Sequence, residues 1–448
     1  MASCAIVPPV NTRVVETPKV SLLTATCIVI ANMIGTGIFT SLGFQVGALP
    51  SGFVVLMLWI VGGFCALCGA LSYAELGAAL PRSGGEYNFL REIYHPSIGF
   101  LAGWVSGTVG FSAPVAIAAI PFGVYLSQLM PGTSPVVWAF AVVWITTAVL
   151  LLDLRLGSVF QIGSTVLKVA LIGVIIVAGL LVRETQPISF APRAGDASLI
   201  VSAPFAISLY WVMYAYSGWN ASTYITSELR KPSRDVLFSV GIGTAIVTIL
   251  YVALNAAFLR STPREEMIGK AEVAFIAANH IFGATGGKIM AAFICLGLVS
   301  TVSAMMWIGP RVTLTMGEDL RILSWLARRS KRGIPMNSLL LQFVIVNVML
   351  LTATFRSVVN YVQFSLTLCS ALTVLGVFVL RWRRPELPRP YKVWGYPLTP
   401  LIFLAISIWM LAHLLVDHAT RMPSLLGLGT TLLALVIYFI SPKTATTR

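Results

Sequence analysis

Long, continuously apolar runs are the feature that most constrains this chain. They lie near residues 20–44, 53–79, 97–129, 135–152, 158–182, 199–227, 236–259, 288–315, 337–354, 358–380, 398–416 and 423–441, separated by charged or Pro/Gly-rich stretches. A hydrocarbon core about 30 Å thick is crossed by roughly 20 apolar helical residues, and backbone polar groups within it must be satisfied inside the segment. The pattern therefore predicts an all-α membrane protein with twelve transmembrane helices. The runs lack the period-two alternation of a barrel wall, which excludes a β-barrel. Composition agrees: of 448 residues, 57% are hydrophobic and only 10% charged, against about 25% charge in a soluble domain. Twelve spans use about 240 residues, so no separate soluble domain fits.

The formal charge of +14 would suggest a nucleic-acid partner for a soluble chain. Here its placement matters more. Of the 30 Lys and Arg residues, 20 fall in loops or tails on one side of the predicted topology and 8 on the other, with Lys168 and Arg311 inside spans. The positive-inside rule puts both termini in the cytoplasm of a multi-pass inner-membrane protein, and nucleic acid drops out as a partner. Residues 1–19 contain three prolines and no apolar core, so they read as a short polar tail rather than a cleaved signal peptide. Residues 442–448 form a second tail.

No metal or cofactor is expected. Cys65-x-x-Cys68 has no matching His/Cys pair, so its thiols read as small packing groups. The four histidines show no ligand spacing. Two connections do more than link spans. Residues 264–282 mix Met267, Ile268, Val273, Ile276 and Ile281 with charges, predicting a short helix over the entrance. Pro385-Glu386-Leu387-Pro388-Arg389-Pro390 is stiff and ends the tenth span.

The first span contains Asn32-Met33-Ile34-Gly35-Thr36-Gly37-Ile38-Phe39, where each glycine weakens a helix by about 1 kcal/mol. The sixth repeats the feature with Tyr214-Ala215-Tyr216-Ser217-Gly218-Trp219-Asn220. A repeat of five helices is odd, so its second copy is inverted. Paired interruptions in corresponding spans point to a transporter's binding site. Beyond Gly35, a half-helix N-terminus offers N–H groups and a positive dipole to a carboxylate, while carbonyls freed before each break can accept from an ammonium. An α-amino acid needs both. The other reading of Gly-x-Gly, close packing between helices, loses ground once the sixth-span break is counted.

Lys168, midway along the fifth run, costs at least ~2.5–3.5 kcal/mol to insert. Its ammonium is expected to stand where a coupling cation would otherwise sit, bridging the broken first helix and hydroxyls such as Ser300 and Ser303. Snorkelling, a structural ion pair and proton exchange during the cycle are the other readings. Glu75 and Glu228 lie near basic residues in sequence (Arg82; Arg230 and Lys231) and read either as gating ion pairs or as solvated end charges. Asp153, Arg155 and Asp417 read as boundary charges. No acidic residue is expected near either break to receive a side-chain cation, which disfavours amines.

Ile34-Gly35-Thr36-Gly37-Ile38-Phe39, Ser72-Tyr73-Ala74-Glu75-Leu76 and Pro81-Arg82-Ser83-Gly84-Gly85-Glu86-Tyr87 resemble the amino acid–polyamine–organocation superfamily. The sixth-span motif followed by Glu228-Leu229-Arg230-Lys231-Pro232-Ser233-Arg234, and Pro385 through Tyr391, are similar to its L-type amino acid transporter branch. The resemblance runs from about Lys19 to Pro442. It implies a leucine-transporter-like five-plus-five inverted repeat, residues 20–182 and 199–380, with two further helices in 398–441. It also implies that the backbone of Ile34, Gly35, Thr36, Gly37 and Ile38, and of Tyr214, Ala215, Ser217 and Gly218 with neighbouring Asn220, holds the substrate. Tyr214 falls where the family has an aromatic gate, usually phenylalanine, and Ser217 replaces a frequent glycine. Lys168 matches a lysine that many members place at a sodium position. Eukaryotic light chains carry a cysteine after the third span that bonds a heavy chain; here that loop is Pro131-Gly132-Thr133-Ser134-Pro135, implying a stand-alone transporter of prokaryotic type.

The expected function is sodium-independent, alternating-access transport of neutral amino acids, with exchange favoured. The alternatives are proton-coupled symport, or carriage of cationic amino acids or amines. An embedded enzyme would want converging His, Asp or Cys groups and a pore rings of like residues; the spans carry neither pattern.

Overall fold

The computed structural model describes residues 19–152, 154–183, 185–270, 272–331, 333–352 and 355–440. Both predicted tails, but for Lys19, and Asp153 fall outside the described residues. Among these residues ten helices are long and apolar enough to cross a membrane, and the only β-pairing is an isolated bridge, Val20 to Leu229. The chain is a multi-pass, all-helical membrane protein. The sixth and ninth predicted runs hold shorter helices, Ala203–Tyr216 and Met336–Thr352.

Helix starts follow local chemistry. Ser21, Ser51 and Ser202 each accept from a backbone N–H three residues on, satisfying donors that the first helical turn leaves orphaned. Pro96 and Pro232 stand in first turns, where a missing N–H does no harm.

Small residues set the helix approach, as expected where lipid removes much of the hydrophobic drive between helices. The second-span helix Gly52–Ala79 packs along the seventh-span helix Pro232–Ser261. A methyl on Gly63 would lie 2.3 Å from Thr248, and one on Gly62 2.3 Å from Val212. Trp59, Tyr216 and Tyr251 meet behind this seam, with ring centroids 5.0–6.0 Å apart. Apolar residues of the fourth-span helix Pro135–Leu152, such as Val137 and Ile145, stay exposed toward lipid.

The third span is not one α-helix. Helix Pro96–Val105 passes through a π-turn, Ser106–Gly110, before helix Ser112–Leu129, and such turns are common at functional sites. The 264–282 connection forms a four-residue helix, Arg264–Met267, and a helix that runs from Val273 into the eighth span across left-handed Gly283. It closes over the far end of the first span: Gly269 N–H donates to the Gly43 carbonyl at 2.8 Å and Arg264 Nε to that of Val46 at 2.7 Å. In the proline-rich stretch, Arg389 donates to the carbonyls of Leu380, Arg384 and Leu387, capping the tenth-span helix Phe355–Arg383.

The acidic span ends are ion-paired rather than solvated, but their partners are not the basic residues near them in sequence. Glu75 is 1% exposed and accepts from Arg381 Nε at 2.9 Å, Arg381 Nη2 at 2.6 Å and Val393 N–H at 2.7 Å. Arg82 instead forms a bidentate pair with Asp319 at 2.8 and 3.0 Å, joined by Arg91 and by Tyr87 at 2.8 Å. Glu228 binds Arg311, at 2.8 and 3.1 Å, and the guanidinium lies 4.0 Å above the Trp307 ring. Buried carboxylates select partners by tertiary proximity, because a charge out of water must be neutralised wherever a counter-charge stands. Removing one partner of such a pair leaves the other uncompensated. Glu75→Ala is therefore expected to destabilise the protein by about 3 kcal/mol, whereas Glu266→Ala, which breaks a half-exposed pair with His280, is expected to change stability by less than about 1 kcal/mol. Melting of the purified protein in detergent compares the two; equal losses would contradict the burial argument.

Candidate functional site: two interrupted helices around a polar cavity

In the first span, helix Leu22–Met33 stops, residues 34–36 bend, and helix Gly37–Gln45 resumes. In the sixth, helix Ala203–Tyr216 stops, Gly218 adopts φ +97°, and a 3₁₀ helix, Ala221–Glu228, follows. The interruptions touch. A methyl on Gly37 would lie 2.7 Å from the Ala215 Cα, and one on Gly218 2.9 Å from the Asn32 backbone. Gly37 thus does serve close packing, and that packing is what brings the two breaks together.

Each break frees carbonyls that need donors, because unsatisfied buried backbone groups are costly. Lys168 Nζ donates to the Ile34 carbonyl at 2.7 Å and to Thr301 Oγ1 at 2.9 Å, and Thr301 Oγ1 also donates to Ile34 O at 2.8 Å. The fifth, first and eighth spans are tied at this point. The ammonium does not bond Ser300 or Ser303: Ser300 accepts from Ser164 at 3.2 Å, and Ser303 is buried elsewhere on the helix. One residue on a helix is a turn of about 100°, so Thr301 faces the break where Ser300 does not.

Tyr251, from the seventh span, reaches the Met33 carbonyl at 2.6 Å and that of Ala215 at 3.0 Å. A single hydroxyl joins both interruptions, and two of the carbonyls expected to be free for an ammonium are already engaged. A tyrosine in an apolar run looks like packing, so the sequence carried no signal for it beyond the hydroxyl itself.

Between the breaks lies a cavity lined by Asn32, Gly35, Thr36, Gly37, Tyr214, Ala215 and Ser217, with Met305 and Thr301 from the eighth span. Of the predicted site residues, Ile34 and Ile38 line neither cavity and are buried in the core, and Ile34 contributes its carbonyl. Tyr214 and Thr36 both border this cavity, one from each break. Asn32 donates to the Ile28 carbonyl at 2.8 Å while its buried Oδ1 has no partner, leaving an acceptor beside the break. The first turn of Gly37–Gln45 has no side-chain cap, so its N–H groups suit an anion.

Ser217 and Met305 also line a second cavity with Gly218, Asn220, Ser106, Gly110, Tyr224, Gln363, Ser370 and Glu86. Glu86 corrects the expectation that no acidic residue stands near a break: Asn220 Nδ2 donates to its Oε1 at 3.4 Å. In sequence it is a loop charge between spans, and only folding carries it beneath the sixth-span break. Cys65 and Cys68 are free and buried, and among the described residues no His/Cys/Asp/Glu group could hold a metal.

Two interrupted helices meeting around a polar cavity between packed bundles define a secondary transporter. The chain belongs to the amino acid permease family, whose model matches residues 20–442. It is 29% identical over 404 residues to the mouse b(0,+)-type amino acid transporter 1, covering 88% of this chain and 82% of that protein. The human large neutral amino acids transporter small subunit 2 is 28% identical over 443 residues, covering 94% and 80%. The mouse Asc-type amino acid transporter 1 is 28% identical over 435 residues, covering 93% and 79%.

Tyr251→Phe removes the shared donor and leaves two buried carbonyls without it, at about 1–3 kcal/mol. We expect a lower melting temperature together with at least roughly fivefold weaker substrate binding, a factor that corresponds to about 1 kcal/mol. Unchanged values for both would show that the bridge does not hold the breaks in place.

Proposed function

We propose that this chain exchanges neutral amino acids across a membrane without sodium, by alternating access. The observation that carries the reading is the Lys168 ammonium between the Ile34 carbonyl and Thr301: a fixed positive charge bonded to the broken helix does what a bound cation would do there. The cavity supports a zwitterion as substrate. Its carboxylate meets the uncapped N–H groups at Thr36 to Ile38, and its ammonium meets Asn32 Oδ1 and backbone carbonyls of the two breaks. Tyr214 and Thr36 close over it, and the side chain extends past Ser217 and Met305.

On this reading the twelve apolar runs are twelve crossings, residues 20–182 and 199–380 are inverted repeats, and both termini face the cytoplasm of an inner membrane. The names of the relatives support amino acids as the substrate class. The Pro131 to Pro135 loop has no cysteine, which supports a transporter working without a disulfide-linked heavy chain. Glu86 favours a second reading in which cationic amino acids also enter, with their side chains reaching the second cavity.

In proteoliposomes loaded with one neutral amino acid, uptake of another is expected to proceed equally with sodium or choline outside, and strict sodium dependence would refute the mechanism. Lys168→Ala removes a charged hydrogen bond worth about 1.5–3 kcal/mol and is expected to slow exchange roughly tenfold or more; unchanged exchange would remove the role given to the lysine. Competition by the twenty natural amino acids, cationic ones included, separates the two substrate readings.

A further inference from the structure

The second cavity holds a carboxyl that the exchange mechanism does not use. Glu86 opens the short helix Glu86–Ile93, outside the predicted spans, yet is 2% exposed. Its two oxygens are treated unequally. Tyr73 and Ser370, the latter at 2.9 Å, donate hydroxyl hydrogens to Oε1, and Asn220 adds its amide at 3.4 Å. Oε2 is buried and has no protein partner.

Charge balance is equally one-sided. Of titratable groups, Tyr73 faces the carboxyl from the second span, Tyr224 from beyond the sixth-span break and Cys369 from the tenth span. None of them supplies a positive charge. On the carboxyl's own segment, Arg82 and Arg91 are turned to Asp319 of the eighth span, which Tyr87 also binds. Glu92 pairs with Arg384 at 3.7 Å. A buried, unpaired carboxylate is strongly disfavoured and takes a proton instead. The neutral acid fits these contacts: Oε1 is a carbonyl oxygen accepting from its donors, and Oε2 bears the hydrogen, which can be offered into the cavity.

We propose that Glu86 is a proton-binding site on the substrate path, protonated while substrate occupies the cavity and ionised by release of that proton to solvent, so that its charge sets the rate of exchange. The proposal rests on the transport reading above. Its chemistry is direct: the substrate's side chain extends past Ser217 and Met305 toward this cavity, where displacing water from an unpaired, ionised Oε2 is costly and the neutral acid avoids that cost. Burial, opposed by the hydrogen bonds from Tyr73 and Ser370, pushes the Glu86 carboxyl up to about 7, so the acid form prevails below neutrality and is lost as pH rises through it.

Two measurements on the full-length protein test this. Infrared spectra of the purified chain between about pH 5 and about pH 9, spanning the ordinary carboxyl value and neutrality, should show a protonated-carboxyl band that disappears near neutral pH and is absent in Glu86→Gln. A titrating band unaffected by Glu86→Gln, or no such band in the unmodified protein, overturns the proposal. Exchange between identical pH on both sides should fall up to about tenfold per unit above the midpoint of a single required protonation. Glu86→Gln, which mimics the acid, should flatten that profile. Ser370→Ala, which removes a donor that favours the ionised form, should move the midpoint to higher pH and serves where the first variant does not fold. A flat profile in the unmodified protein, or one retained by Glu86→Gln, overturns the proposal. So does a variant that loses only competition by lysine and arginine, which would make the carboxylate a subsite for a cationic side chain. Absence of any amino acid exchange would refute the transport reading, while the infrared band would still decide the state of Glu86.

Discussion

A helix broken inside a membrane exposes carbonyls that no water is there to satisfy, and the architecture depends on how those of the first span are met. Lys168 and Thr301 take the Ile34 carbonyl, and Tyr251 takes those of Met33 and Ala215. These bonds draw the fifth, seventh and eighth spans onto the two interruptions. The glycines at 37 and 218 allow the interruptions to meet without intervening side chains. The cavity that results is lined by residues of both breaks together with Thr301 and Met305 of the eighth span.

One face of the bundle is fastened by charge. Arg82 and Arg91 with Asp319, Arg311 with Glu228, and Arg381 with Glu75 link the second, sixth, eighth and tenth spans and the helix after the second. The Val20 to Leu229 bridge adds a backbone tie between the starts and ends of the two interrupted spans: Val20 N–H donates to the Glu228 carbonyl at 2.7 Å. Opening that face means separating several ion pairs at once, so access there is suited to an all-or-none transition rather than a graded one.

Some of the site was legible in the residues themselves. Gly-x-Gly in a span, and a second glycine-containing interruption in the sixth, announce breaks because glycine is a poor helix former wherever it stands. Lys168 is conspicuous because a charge in hydrocarbon is expensive in any fold. The partners were not legible. Thr301 and Ser300 are equivalent in composition and differ only in helical phase, and Tyr251 is one aromatic among many apolar neighbours. The third-span π-turn carried a faint mark, the two glycines of Ser106-Gly107-Thr108-Val109-Gly110, but nothing to say that they would border a cavity.

The sequence by itself determined that the chain is a helical membrane protein, where two of its helices break, and which cation sits among the spans. Those follow from local properties: length and hydropathy of a run, intrinsic helix weakness, and the desolvation of one charge. Tertiary structure alone decided that Glu75 meets Arg381 rather than Arg82, that Arg311 meets Glu228, and that Glu86 leaves its loop to stand unpaired beneath the sixth-span break. Buried polar groups choose partners by proximity in three dimensions, over separations as large as the 306 residues between Glu75 and Arg381, and no local pattern encodes that distance.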